Sequence, residues 1–519
     1  MTVLRCGARL GAAAFAVGLS LVVPAGMAAG DAGDAGPATA SSASGERPAA
    51  RAERTRPAVD RHAGTVSRPG VGPARATRSP RFERDSSRTR VQPASVARPA
   101  LAAPNLTAAP AFQTFLTNTA DWLATLPVNP LTEFLQGAVY LVRRDLFPAT
   151  VGVVTTPIVV PLQLTDVNET TNKKLGIYAT LGSGSATPEI FELDTGGTGF
   201  YAAYASDPTS ASPWWGGGVV TTARPVKVQY DSGNFYQGYT ATAQVSLYAP
   251  GGVTPLITTA RSVVGQMDLI EKINPVNGEI TSLWGPSGQV QSYPPIDRAF
   301  YGDFGLAPTY APSGVTNLLA QLVYTNGVLP GYRLHTDAGG SWLQIGLTAA
   351  DLADPRATFF PMIVDPNAPG YATNPYSGVR YYGEQLFDAT ITISKSGTTV
   401  VNTPGVGITP DTGAQPTLHN TNRSPLPYPT QYAGITDPKG NALENNLRFV
   451  VTATTTDGTQ GTVYDFNTTD TGVSVQNQRA TNSNPAYYFN TGLELFYLND
   501  VIYYFGDTAG GGQFGLVRR

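Results

Sequence analysis

Two carboxylates, Asp194 and Asp411, each open an Asp-Thr-Gly triplet, and the triplets stand 217 residues apart. Brought together in a dry cleft, two such groups cannot both ionise, because like charges push one pKa up. The pair then shares a proton, so one carboxylate serves as a base while its neighbour serves as an acid. That combination suits activation of a water molecule. A third copy, Asp470-Thr471-Gly472, acts as an internal control. Asn467-Thr468-Thr469 precedes it without an apolar lead-in, so it reads as a polar turn. Asp194 differs, since Ile190, Phe191 and Leu193 lead into it and Gly196-Gly197-Thr198-Gly199 follows. A buried strand breaking into a tight Gly-rich loop can present a carboxylate at the floor of a cleft.

The elements that must position these residues repeat. Leu175 to Leu181 alternates like a half-buried strand and leads through Gly182-Ser183-Gly184-Ser185 to the strand of Asp194. Ahead of Asp411, Ile391 and Ile393 alternate with Thr390 and Thr392, Ser394-Lys395-Ser396-Gly397 supplies a turn, and residues 400–408 run toward the Asp. A hairpin followed by Asp-Thr-Gly, twice, is what two duplicated lobes would show. Between them, Val226, Val228 and Tyr230 alternate with Lys227 and Gln229, and Asp231-Ser232-Gly233-Asn234 precedes a second alternating run from Thr240 to Leu247. This predicts a β-hairpin with a small polar tip.

In this order the motifs resemble the pepsin-like aspartic proteases over most of residues 151–519. The resemblance implies an all-β, two-lobed fold with a central cleft, one lobe at 151–346 and the other at 347–519, preceded by a short helical segment and a disordered tail. It makes Asp194 and Asp411 the catalytic pair, with Thr195, Gly196, Thr412 and Gly413 supporting their loops. Thr195 and Thr412 would hydrogen-bond across the lobe interface, and Tyr230 and Gly233 would belong to a mobile flap. Phe300 to Ala307 resembles the element crossing beneath the first catalytic loop, Ser341 to Gly346 the strand leaving the first lobe, and Asn490-Thr491-Gly492 the second crossing. The implied activity is a peptide hydrolase acting on polypeptide through dyad-activated water, as a monomer with no cofactor and no metal. Within the family, the Asp194 to Gly199 loop and the stretch from Asn129 to Phe147 look like the secreted actinobacterial and mycobacterial members, including those carried on PE-family chains. Removal of PE-type domains is therefore a role implied by relatives alone. Three positions depart from the family pattern. Gly197 and Ala414 stand where many members carry a hydroxyl that bonds the catalytic carboxylate. Pro410 deprives the second strand of a backbone donor, so that strand should bend or lie at an edge. Asp303 occupies a position that is usually apolar.

Residues 1–29 carry Arg5, Arg9 and an apolar run from Leu10 to Val23, the pattern of a signal peptide, which implies export to the cell envelope or beyond. Cys6, the only cysteine, lies ahead of that run, so no disulfide is expected in the mature chain. Between residues 31 and 100, 13 arginines face 7 acids with no periodicity, the composition of a disordered tail spanning 30–105. It reads as a wall spacer or as a basic pro-segment. In 106–150, Leu131, Phe134, Leu135, Ala138, Leu141 and Val142 line one face of an expected helix. Residues 101–519 are acidic, against nucleic acid as a partner. No transmembrane run is present beyond the signal peptide. His62, His335 and His419 pair at no metal spacing, and no G-x-S-x-G elbow exists. His419 reads as a polar loop residue. Two rival classes remain: an inactive pepsin-like peptide binder, and a β-rich surface adhesin in which both triplets are accidental turns.

Overall fold

The computed structural model describes residues 152–519, except 168–171, 185–186, 205–214, 231, 275–277, 286–293, 369–372, 375–376, 421–431, 433, 478–486 and 507–510, together with Phe115, Thr119 and Leu135. The signal peptide at 1–29, the tail at 30–105 and the hairpin-tip residue Asp231 lie outside the described residues. Of the expected helical segment, Phe115, Thr119 and Leu135 are described and are helical. Thr119 Oγ1 there donates to Phe115 O at 2.8 Å.

Period-two alternation becomes strands wherever the sequence shows it, and the two halves of 152–519 carry the same five-strand arrangement. In the first, Lys173–Leu181 pairs antiparallel with Glu189–Asp194. Gly302–Leu306 then lies parallel to the Asp194 strand and antiparallel to Thr198–Ala203, so it threads between the two strands that flank the Asp-Thr-Gly loop. Thr198–Ala203 in turn runs parallel to Ile257–Ile273. In the second half, Phe387–Lys395 pairs with Thr398–Thr409. Tyr487–Asn490 lies parallel to Thr398–Thr409 and antiparallel to Thr417–Asn420, which runs parallel to Ser474–Asn477. The register matches too: Glu192 faces Asp303, and Thr409 faces Asn490, each pair two residues ahead of its Asp. The protein is therefore an all-β molecule of two related lobes.

Six antiparallel strands join them. Their order is Ala357–Pro361, Gln513–Arg518, Asn499–Tyr504, Leu329–His335, Ser341–Leu347 and Ile158–Asp166. Where the halves meet, Tyr332 stacks on Tyr503 at 4.6 Å, both buried. Behind the first triplet, Phe191, Phe200 and Phe304 form an aromatic core with centroids 4.8 Å apart. Phe449 and Phe489 fill the same place in the second lobe. These anchors hold the strands whose ends carry the two carboxylates.

Val220–Gln229 and Asn234–Tyr248 form the expected hairpin, with Gln229 opposite Phe235 and Gly233 N donating to Tyr230 O at the tip. Its outer strand is an edge, which tolerates Pro225. The third triplet is a tight turn, with Asp470 N and Thr471 N both donating to Asn467 O, and Asp470 is exposed. Pro410 lies just past the end of its strand, so its missing N–H costs the ladder nothing. His419 differs from expectation, because it lies on the strand Thr417–Asn420, buried and stacked on Tyr488 at 4.1 Å. Alternation around it was too short to reveal a strand. Among the described residues, no helix is long and apolar enough to cross a membrane.

Candidate active site

Each Asp-Thr-Gly loop holds its own carboxylate and grips the other loop. Gly196 N donates to Asp194 Oδ1 at 2.8 Å, and Gly413 N donates to Asp411 Oδ1 at 2.7 Å. Thr195 Oγ1 accepts from Thr412 N and donates to Pro410 O, while Thr412 Oγ1 accepts from Thr195 N and donates to Leu193 O. All four bonds are buried and cross the lobe interface. They leave no lone hydroxyl and fix the two loops in one register. Tyr503 Oη adds a further donor to Pro410 O at 3.2 Å.

The approach of the loops requires glycine at their third position. A Cβ on Gly196 would stand 2.5 Å from Asp411 Cγ, and one on Gly413 would stand 2.8 Å from Asp194 Cγ. Each carboxyl thus lies against the opposite loop, close enough for the charge of Asp411 to act on Asp194. The structure brings together Asp194, Thr195, Gly196, Asp411, Thr412 and Gly413. It also brings the hairpin over them, since Tyr230 Oη donates to Asp303 Oδ2 and packs edge-on against Tyr236 at 5.4 Å. Gly233 stays at the hairpin tip, with φ of +87°.

The crossing strands contribute one polar side chain each, at symmetry-related positions. Asn490 Nδ2 donates to Asp411 Oδ2 at 2.5 Å. Its counterpart Asp303 is 2% exposed and lies beside Asp194: a Cβ on Gly197 would be 2.8 Å from Asp194 Oδ2 and equally from Asp303 Oδ2. The space that a hydroxyl side chain at 197 would need is thus shared with Asp303. At Ala414 the loss of a hydroxyl is offset by the amide of Asn490. Asp411 therefore faces a donor, whereas Asp194 faces another acid.

Electrostatics follow that difference. Burial pushes Asp194 well above the usual carboxylate range, and the charges of Asp411, Asp303 and Glu192 push it further. Asp303 is raised as well, by burial first and then by Glu192, with the Tyr230 hydroxyl opposing. Glu192, two residues before Asp194 on the same strand face, is raised by burial against the pull of Lys174. Burial alone would lower Lys174, but ion pairs to Glu192 at 2.7 Å and Asp297 at 3.0 Å reverse that and leave it raised. Glu192, Lys174 and Asn490 were not singled out from the sequence as cleft residues. For Glu192 the signal existed, since strand alternation places residues 192 and 194 on one face.

A cleft of about 1070 Å³ opens over the pair, lined on one side by Asp303, Glu192 and Tyr230 and on the other by Asn490, His419 and Tyr488. Such a trough, with the carboxylates at its floor and the hairpin above, can take an extended chain.

No family model matches the chain, and no curated protein matches it in sequence. Among solved structures it is similar to the aspartic proteinase from Irpex lacteus, with 15% identity and a TM-score of 0.36, over 70% of this chain and 97% of that one.

Proposed function

We propose that the protein is an aspartic endopeptidase, with Asp194 and Asp411 as its catalytic pair. The observation that carries this reading is the placing of each carboxyl against the opposite loop, held by the reciprocal Thr195 and Thr412 bonds at the floor of the cleft. Asp194, raised by burial and by three neighbouring acids, carries the shared proton, and Asp411, with a donor on each oxygen, serves as the base. A water held between them loses a proton to Asp411 as its oxygen attacks the peptide carbonyl. Asp194 gives its proton to the carbonyl oxygen, forming a tetrahedral diol. Collapse of the diol returns a proton to Asp194, while Asp411 passes its proton to the departing nitrogen. Tyr230, on the hairpin above, closes the cleft over substrate and excludes bulk water.

The signal-peptide pattern supports export, and the flavour of the Asp194 loop supports the actinobacterial type that includes proteases on PE-family chains. The deciding experiment incubates the full-length protein with a random peptide library and reads cleavage by mass spectrometry. Cleavage should vanish in Asp194→Asn and in Asp411→Asn, with both variants retaining the parent's folded circular-dichroism spectrum. Undiminished cleavage by either one overturns the assignment. Peptide binding without cleavage by the parent would instead identify a non-catalytic binder.

A further inference from the structure

We infer that the cleft takes a cationic substrate side chain, lysine or arginine, beside the scissile bond on the Asp194 side. The inference rests on the peptidase reading for the position of the bond, and on the pocket's own residues for its chemistry. Along that wall, the cleft is lined by Lys174, Glu192, Tyr201, Tyr230, Tyr236 and Asp303, with Val226 and Val228 reaching it from the hairpin. Three acids converge there, namely Glu192 at 5% exposure, Asp303 at 2%, and Asp297 behind them. Lys174 is the cation enclosed among them, and it is already shared between Glu192 and Asp297. Lys272, beside the tip of the hairpin, is bonded to Asn234 Oδ1.

Asp303 is left short of partners. Its Oδ2 accepts from Tyr230, but its Oδ1 is buried with no hydrogen-bond partner. Buried polar atoms are ordinarily satisfied, so an orphan oxygen on a cleft-lining acid is a place for a donor to bind. A Cβ at Gly197 would press on Asp194 and Asp303 alike, so glycine there is what lets the two carboxyls stand side by side. A leucine or phenylalanine seated here would seal the carboxyl away from water without replacing its bond. An ammonium or guanidinium would give Oδ1 a donor and leave the enclosed charges nearer to balance. A site built around an unmet polar group rejects ligands that lack the matching group far more strongly than an apolar pocket rejects a poor fit.

The test uses two peptides in which the scissile bond is replaced by a non-cleavable hydroxyethylene isostere. They differ only in carrying lysine or norleucine beside the isostere, and the substitution is made in turn on each flank. Calorimetry on the full-length protein should show the lysine peptide binding about 100-fold more tightly on one flank. Asp303→Leu should remove or invert that preference, and Asp303→Asn should leave an intermediate one. Equal or tighter binding of norleucine on both flanks overturns the inference from the parent protein alone, whether or not the variants fold. So does a lysine preference that survives in a folded Asp303→Leu. A lysine preference without cleavage of the matching peptide would sink the peptidase reading and leave the pocket standing. Cleavage confined to apolar flanks would do the reverse, and failure to bind either peptide would overturn both.

Discussion

Asn490 and Asp303 show how one residue type decides the character of each carboxylate. The two occupy related places on the crossing strands, yet one is an amide that donates and the other is an acid that competes for protons. The bond from Asn490 stabilises the charged form of its partner, and hydrogen bonds to charged groups are worth about 1.5–3 kcal/mol. Asn490→Leu should therefore move the acidic limb of the kcat/KM profile to higher pH by about one unit. An unmoved limb would show that the amide does not act on the ionised pair. A serine at Gly197 has the opposite fate from the one its family resemblance suggests. Its Cβ would press on both Asp194 and Asp303, so Gly197→Ser should lose activity rather than sharpen it at low pH. A Gly197→Ser enzyme whose acidic limb shifts downward with turnover intact would contradict the crowding.

At the scale of elements, the hairpin over the cleft is tied down more firmly than an exposed tip would be. Tyr230 is half-buried, packs on Tyr236 and bonds Asp303, so truncation to alanine removes packing as well as a hydroxyl. Tyr230→Phe isolates the hydroxyl, and should lower kcat/KM about ten-fold while melting within a few degrees of the parent. A large loss of melting temperature with activity retained per folded molecule would make the hairpin structural. Much at this scale was legible in advance. The strands leading to Asp194 and Asp411 and the hairpin at Tyr230 announced themselves by alternation and turn residues. What alternation could not show was pairing between distant segments. Asp303 meets Glu192, and Asn490 meets Thr409, through parallel pairings whose partners are far apart in sequence and share no local signal. Hence Asp303 was visible only as an oddity beneath a loop, and Asn490 only as a neighbour of Gly492. Lys174, just ahead of the alternating run, carries no signal in the sequence, because its ion pairs form only when Glu192 and Asp297 converge on it.

Across the described residues, the acids with a shifted pKa fall into two groups with opposite linkage to pH. Asp500 and Asp351 pin the six-stranded sheet. Arg333 bridges both, and His335 and Arg519 bond Asp500. Burial raises both carboxyls, but hydrogen bonds prevail and leave both lowered, from Thr348, Gln344 and Arg333 at Asp351 and from His335, Arg333 and Arg519 at Asp500. A carboxylate with a lowered folded pKa contributes stability above its unfolded value, near 4, and loses it as pH falls through the folded one. Asp194, Asp303 and Glu192 work the other way, since burial above all raises them. Below about pH 4 they are protonated in both states and cost nothing. As pH rises, the unfolded chain releases these protons before the folded one does, so the fold binds more protons and stability falls. The two groups together place the stability maximum on the mildly acidic side of neutrality. Thermal melting should therefore decline from about pH 5 to pH 8, and the decline should be shallower in Asp303→Asn, where one of the raised acids is gone. Comparing slopes rather than absolute temperatures cancels the contributions of every carboxylate common to both proteins. If parent and variant melt with the same slope across that range, Asp303 does not hold its proton in the fold, and the asymmetry assigned to the two halves of the site loses its basis.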